Sequence, residues 1–176
     1  MKKILIISGT NRPDALSPSV ARSYAALAET SGLSAEIIDL RDLPEDFTFT
    51  ALYKNSGKNE QFNVFREKMK DAEKFVFIVP EYNGSFPGVL KAFIDGLEFP
   101  DTFTDKKAAL IGVSAGDLGS AHAMSHLTDI LNYCRAHVLA RKPRFTKLYN
   151  YVKDGTMDHE PYLDQIQKQI NELIVF

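Results

Sequence analysis

The run Phe75-Val76-Phe77-Ile78-Val79 is apolar at every position and is followed directly by Pro80. A strand that is apolar on both faces belongs in a sheet covered on both sides, as parallel sheets are. Similar short runs lie at residues 4–7, 35–40 and 108–113, and a weak one lies at 138–140. Taken together, these runs predict five parallel strands.

Helical patterns fill the gaps between these runs. Ser17 followed by Pro18 predicts an N-cap and a helix start, and the apolar positions continue to a stop at Gly32. Further helices are predicted over residues 60–72, 87–99, 120–137 and 161–174, and residues 41–58 are predicted to be a loop. Strands alternating with helices indicate an α/β three-layer sandwich around an open, doubly wound sheet, in a single domain of residues 1–176.

Composition excludes several classes of function. The 176 residues carry 21 Lys and Arg against 23 Asp and Glu, and this net charge of −2 offers no attraction for nucleic acid or an anionic membrane. One cysteine, Cys134, excludes an intrachain disulfide and Cys-rich metal sites. The apolar run at residues 4–7 is too short for a signal peptide or a membrane span. We therefore expect a reduced, cytoplasmic protein.

Ligands of such sheets bind where the strands end, so the loops after the first, third and fourth strands are the candidate site. The first loop contains Thr10, Arg12, Ser17 and Ser19 just before or at a helix N-terminus. Hydroxyls, a guanidinium and free helix N–H groups are the donors that a phosphate needs. The loop lacks the glycines and lysine of the nucleotide-binding motifs, so it suits a terminal monophosphate.

The loop after the third strand reads Pro80-Glu81-Tyr82-Asn83-Gly84-Ser85-Phe86-Pro87-Gly88. Two prolines and two glycines indicate a rigid, irregular backbone whose N–H groups are open to the edge of a flat heteroaromatic ring. The loop after the fourth strand is predicted to run from Ser114 to Gly119.

These motifs, together with Leu90-Lys91, resemble the NAD(P)H-dependent FMN reductases, a group that includes quinone, azo-dye and chromate reductases. The resemblance implies a flavodoxin-like fold with strand order 2-1-3-4-5, FMN as cofactor, and NADPH or NADH as co-substrate. It also implies a small acceptor such as a quinone or free flavin. Because the nicotinamide and the acceptor would occupy the same face of the ring in turn, we expect ping-pong kinetics, and hydride transfer itself requires no catalytic side chain. By the same resemblance, the FMN phosphate would be held by Thr10, Arg12, Ser17 and Ser19. The isoalloxazine ring would lie between two groups of residues: Pro80, Glu81, Tyr82, Asn83, Gly84 and Ser85 on one side, and Ser114, Ala115 and Gly116 on the other.

Two other functions stay open. A flavodoxin-like electron carrier fits the same fold, although the near-neutral charge does not favour it. Gly112-Val113-Ser114-Ala115-Gly116 also fits the nucleophile elbow of a serine hydrolase. Such an enzyme would need Asp129 with His137, or Asp158 with His159. The first pair lies on or at the end of the helix that follows the elbow, which is poorly placed for a triad. A zinc site at His122 and His126 lacks a third ligand, so no metal is expected.

The predicted helix at residues 87–99 is apolar over more of its surface than one sheet can cover. Its only polar side chains are Lys91, Asp95 and Glu98. This width predicts a second apolar neighbour, which we interpret as another subunit of a homodimer or homotetramer. The alternative neighbour is the loop at residues 41–58 of the same chain.

Overall fold

The computed structural model describes residues 3–176, and its centre is a parallel sheet. The strands are β1 (Lys3–Ser8), β2 (Ser34–Asp39), β3 (Lys74–Pro80), β4 (Lys107–Val113), β5 (His137–Val138) and β6 (Arg144–Phe145). Their order is β2-β1-β3-β4-β5, and β6 pairs with β4. The predicted flavodoxin-like order 2-1-3-4-5 is therefore confirmed.

Helices cover both faces of the sheet. They are α1 (Ser17–Thr30), α2 (Phe47–Thr50), α3 (Glu60–Asp71), α4 (Gly88–Asp95), α5 (Ala121–Tyr133) and α6 (Glu160–Val175). Phe75 and Phe77 of β3 belong to one apolar cluster with α3, α4 and α5, whereas Val76 and Ile78 belong to another with α1 and α6. Side chains of a strand alternate between its faces, so β3 is apolar on both because it is covered on both.

The fifth strand differs from its prediction at residues 138–140. It is split into two short pieces, of which β5 pairs with the start of β4 at Lys107 and Ala108. The second piece, β6, pairs with the end of β4 at Gly112 and Val113. Strands of two residues have no hydrophobic period, so β6 could not be predicted from the sequence. The same reason applies to the small hairpin of β7 (Val152–Lys153) and β8 (Thr156–Met157).

The segment at residues 41–58 is more ordered than the predicted loop. It contains α2 and a short 3₁₀ turn at Tyr53–Asn55, and it buries Phe47, Ala51 and Leu52. The rings of Phe47 and Phe62 stack with their centroids 5.4 Å apart. Burial of a few apolar side chains stabilises turns that are too short to give a helical pattern.

Three predicted helix ends were wrong. Leu16 is the N-cap of α1 and makes no side-chain cap, while Ser17 is the first helical residue. The α5 helix ends at Tyr133 rather than at residue 137, and α4 ends at Asp95 rather than at residue 99.

The second apolar neighbour of α4 lies partly within the same chain. A Cβ atom built on Gly96 would come within 2.6 Å of the Phe62 ring and 3.4 Å of Leu52. The rings of Phe62 and Phe93 also meet edge to face, with centroids 6.0 Å apart. Contact with residues 41–58 and with α3 therefore accounts for much of the broad apolar face, and this width alone no longer indicates a subunit contact.

Within residues 3–176, no helix is long and apolar enough to cross a membrane.

Candidate functional site

A cleft of about 370 Å³ opens at the carboxyl ends of β1, β3 and β4. It lies at the edge of the sheet where ligands of doubly wound folds bind. All three predicted loops reach it, and a fourth segment joins them. The lining residues are Thr10, Arg12, Asp14, Ala15, Leu16, Ser17, Pro80, Glu81, Tyr82, Val113, Ser114, Ala115, Leu148 and Tyr149.

Thr10 connects the first loop to the second. Its buried hydroxyl accepts a hydrogen bond from the Arg12 backbone N–H at 3.2 Å and lies 2.7 Å from the Tyr82 phenol oxygen. When Tyr82 donates in the second contact, Thr10 keeps its own hydroxyl proton for a ligand in the cleft.

The N-terminus of α1 adds donors to the same end of the cleft. No side chain caps it, Pro18 lies in its first turn, and that turn contains no acidic residue. Arg12 is exposed, and its guanidinium makes no hydrogen bond or ion pair with any residue of the range 3–176. A helix N-terminus beside an uncommitted guanidinium is suited to bind an anion. Asp14 also lines the cleft and is the one acidic side chain that this loop contributes.

Ser19 is placed differently from the other three predicted phosphate ligands. Its hydroxyl accepts a hydrogen bond from Arg22 at 3.2 Å, and it does not line the cleft. Arg22 also donates to the Gly155 carbonyl at 2.7 Å, in the turn between β7 and β8. Ser19 therefore lies in a contact between α1 and this hairpin.

The second loop folds as a tight reverse turn from Tyr82 to Ser85. The two residues exchange backbone hydrogen bonds of 2.8 and 3.1 Å. Asn83 and Gly84 between them have φ angles of 51° and 77°, which is the left-handed pair that a type I′ turn requires. Asn83 and Gly84 are exposed, and among residues 3–176 their N–H groups have no partner. Of the six predicted ring contacts, Pro80, Glu81 and Tyr82 line the cleft, whereas Asn83, Gly84 and Ser85 lie beside it and do not line it.

The donors of the first loop test what the cleft can hold. Thr10 has a hydroxyl proton to give, the Arg12 guanidinium makes no bond within residues 3–176, and no side chain caps the N-terminus of α1. These are the donors that a phosphate needs, and FMN carries one phosphate, so the residues present fit this cofactor. One carboxylate oxygen of Glu81, Oε2, is buried without a donor among residues 3–176.

Ser114 in the third loop uses its hydroxyl within that loop. The Oγ donates to the Gly116 carbonyl at 2.8 Å and accepts from the Gly119 N–H at 3.1 Å. Its neighbour Ala115 lines the cleft as predicted, whereas Gly116 does not. A Cβ atom on Gly112 would lie only 2.3 Å from the Gly119 carbonyl oxygen. Packing therefore explains Gly112 of the elbow-like pattern, and hydrogen bonds within the loop explain Ser114.

Neither predicted histidine partner of a hydrolase is bonded to Ser114. His137 lies 3.9 Å from Asp105, and the His159 ring stacks on Tyr151 with centroids 3.9 Å apart. In the described part of the chain, no three His, Cys, Asp or Glu side chains come together as metal ligands. The structure thus gives Ser114 no histidine partner and does not favour the hydrolase.

The fourth segment of the cleft was missed from the sequence. Leu148 and Tyr149 reach it because the backbone after β6 is bonded to the third loop, with Leu148 N–H donating to the Ser114 carbonyl at 3.2 Å. Lys147 forms an ion pair of 2.8 Å with Asp117, which raises the pKa of this lysine. These contacts join residues more than 25 positions apart, and neither segment carries a local pattern that reveals them.

The strand order and the cleft at the carboxyl edge of the sheet define a flavodoxin-like α/β protein. Residues 2–146 match the family of NADPH-dependent FMN reductases, and the chain belongs to this family. The family implies an oxidoreductase that uses FMN and takes electrons from a reduced nicotinamide.

Two curated relatives and one solved structure illustrate the similarity. A 2-hydroxy-1,4-benzoquinone reductase from Burkholderia is 34% identical over 134 residues, which cover 74% of this chain and 70% of the relative. An NAD(P)H-dependent FMN reductase of Pseudomonas aeruginosa is also 34% identical, over 78% of this chain and 73% of the relative. The structure of FerB, a flavoenzyme NAD(P)H:(acceptor) oxidoreductase from Paracoccus denitrificans, superposes with a TM-score of 0.79 at 23% identity. That comparison covers 99% of this chain and 96% of FerB, and it supports the fold.

Proposed function

We propose that the protein is an FMN-dependent oxidoreductase that takes hydride from NADPH or NADH and reduces a small acceptor, such as a quinone or free flavin, by a ping-pong mechanism. The observation that carries this proposal is the donor set of the cleft. One end offers hydroxyl and guanidinium donors for a phosphate, and the other is lined by Pro80, Glu81 and Tyr82. The quinone named for the Burkholderia relative supports a small, flat acceptor.

The phosphate of FMN would be held by Thr10, Arg12, Ser17 and the N-terminus of α1. Thr10 would donate the hydroxyl proton left free by its contact with Tyr82. Arg12 would supply the charge, because its guanidinium has no competing partner within residues 3–176. Ser19 would act indirectly, by fixing Arg22 and the hairpin beside α1.

The ring of FMN would lie against Pro80, Glu81 and Tyr82, with Ser114 and Ala115 on the opposite wall. The N–H groups of Asn83 and Gly84 would donate to the ring edge. When bound, FMN would supply the two-electron redox chemistry. The role of the chain is to orient the reactants, and hydride transfer itself requires no acid or base from a side chain.

We also propose a homodimer or homotetramer whose interface includes the end of α4. Beside this helix, Phe99 and Tyr133 are 63% and 77% exposed, and their rings stack with centroids 5.8 Å apart. They border a groove of about 450 Å³ whose apolar side chains include Ile94, Leu97 and Ile130. Exposed aromatic rings next to an apolar groove are typical of a protein interface. A second copy of this chain is the partner that we propose.

The test of the function uses the purified protein loaded with FMN. Addition of NADPH or NADH without oxygen should bleach the yellow flavin absorbance, and 1,4-benzoquinone should then restore it. Varying both substrates in the steady state should give parallel double-reciprocal lines, as ping-pong kinetics require. Intersecting lines would contradict the ping-pong mechanism. A flavin that neither nicotinamide bleaches would contradict the reductase and favour the electron carrier.

A further inference from the structure

The turn from Tyr82 to Ser85 is held by side chains at both of its ends. At the first end, the Tyr82 phenol lies against Thr10. At the other end, the Ser85 hydroxyl lies 2.9 Å from Nδ1 of His126 on α5. The exposed residues Asn83 and Gly84 therefore lie between two side-chain hydrogen bonds, one to the first loop and one to α5.

The position of His126 is well defined because its helix, α5, packs on the core. Its neighbours Ala123 and Leu127 are fully buried against the sheet. The side chain of His126 itself is exposed, so it contributes little to that core. Its defined contact is the hydrogen bond to Ser85, 41 residues earlier in the chain.

The hydrogen bond does not depend on one form of the imidazole ring. Nδ1 accepts from the Ser85 hydroxyl when it carries no proton and donates to it when it does. Nδ1 is the imidazole nitrogen nearest to the helix backbone, so the hydrogen bond holds Ser85 close to α5. An asparagine amide places a similar group at a similar distance from its backbone and should preserve the contact.

We infer that His126 is a positioning residue for the flavin ring. By holding Ser85, it fixes the orientation of the turn and therefore of the Asn83 and Gly84 N–H groups that would donate to the ring edge. This inference rests on the proposed function, because the N–H groups of Asn83 and Gly84 would donate to the FMN ring. It also gives one member of the His122 and His126 pair a role that does not involve a metal.

The same helix provides a matched control. His122 is exposed on α5 like His126 but makes no hydrogen bond or ion pair with any residue between positions 3 and 176. The variants are therefore His126→Ala, His126→Asn, Ser85→Ala, the double variant of His126→Ala with Ser85→Ala, and His122→Ala. Thermal unfolding of each apoprotein checks that the fold is kept, as expected for exposed or half-buried positions.

The experiment measures the FMN dissociation constant, the visible spectrum of the bound flavin and its midpoint potential. His126→Ala should weaken FMN binding by about twofold to tenfold, the range for one neutral hydrogen bond. It should also shift the potential, because the donors to the ring edge move. Ser85→Ala should have the same effect, the double variant should be no worse than either single variant, and His126→Asn should restore the wild-type values.

Several results would overturn the inference. If wild-type protein binds FMN and His126→Ala has the same affinity, spectrum and potential, His126 does not position the ring. The same conclusion follows if His122→Ala matches the effect of His126→Ala, or if the effects of His126→Ala and Ser85→Ala add. If the wild-type protein itself fails to bind FMN, the proposed function is wrong and this inference falls with it.

Discussion

The hydroxyl of Thr10 lies 2.7 Å from the phenol oxygen of Tyr82, 72 residues further along the chain. This contact joins the loop proposed to hold the phosphate to the loop proposed to hold the ring. Because Thr10 also accepts the Arg12 N–H, one hydroxyl orders both loops at the mouth of the cleft. The two halves of the site are therefore coupled before any ligand arrives.

Removing either partner should weaken FMN binding. Tyr82→Phe deletes the phenol donor, and we expect the FMN dissociation constant to rise by about twofold to tenfold. Thr10→Val should cost more, because it also removes the acceptor of the Arg12 N–H and a donor to the phosphate. Fluorescence titration of the apoproteins measures both effects. Tyr53→Phe, at an exposed tyrosine outside the cleft, is the control and should be neutral. A Tyr82→Phe protein with wild-type affinity would show that the contact plays no part in binding.

Arg12 should provide the charge that retains the cofactor. Arg12→Ala removes charge-assisted hydrogen bonds worth about 1.5–3 kcal/mol, so FMN affinity should fall by about tenfold to a hundredfold. Lys58→Ala removes the same charge from an exposed position outside the cleft and should leave the affinity unchanged. The binding constants are measured by titration at one fixed ionic strength. Equal affinities for Arg12→Ala and wild-type protein would contradict the phosphate assignment.

The exposed ring pair beside α4 should hold subunits together. Phe99→Glu introduces a charge where an apolar contact is proposed, so the molecular mass in light scattering should fall toward that of one chain. Phe49→Glu changes another exposed phenylalanine, on α2, and serves as the control. A wild-type protein that is already monomeric, or a Phe99→Glu protein that keeps the wild-type mass, would contradict the proposed interface.

Glu36 on β2 should make folding stability depend on acid pH. Hydrogen bonds from Lys3 and Lys68, with ion-pair distances of 2.5 and 2.9 Å, lower the pKa of this carboxyl. A carboxyl whose pKa is lower in the folded state stabilises the fold above its unfolded pKa, about 4.3, and loses this contribution as pH falls through the folded pKa.

Glu36→Gln should therefore lower the free energy of unfolding at pH 7 by about 0.5–1 kcal/mol, and this difference should shrink toward zero by about pH 3. Urea unfolding across that range measures it. Glu29→Gln, at an exposed glutamate of α1 without an ion pair among residues 3–176, is the control. A difference between Glu36→Gln and wild type that stays constant with pH would rule out this ion-pair linkage.

The parts of the fold that the sequence predicted are those with long patterns. The run at residues 75–79 indicated a central strand because each face of β3 packs on its own apolar layer. The flavodoxin-like strand order followed from the family resemblance, and the structure confirms it. Within the three predicted loops, eight of the thirteen candidate residues line the cleft: Thr10, Arg12, Ser17, Pro80, Glu81, Tyr82, Ser114 and Ala115.

The parts that could not be predicted depend on contacts between distant segments. Tyr149 enters the cleft because the backbone after β6 pairs with the third loop, and two-residue strands carry no signal of their own. Likewise, the helical spacing of His122 and His126 indicated only a possible metal pair. The structure instead bonds His126 to Ser85, a partner that helical spacing cannot reveal.

We propose that one cleft binds both a phosphate and the flat ring attached to it. The most direct test titrates the apoprotein with FMN and, separately, with riboflavin, which has the same ring and no phosphate. FMN should lose fluorescence on binding and raise the unfolding temperature, and riboflavin should bind at least about tenfold more weakly. Failure of excess FMN to quench or to stabilise the protein, or equal affinity for both flavins, would contradict this proposal.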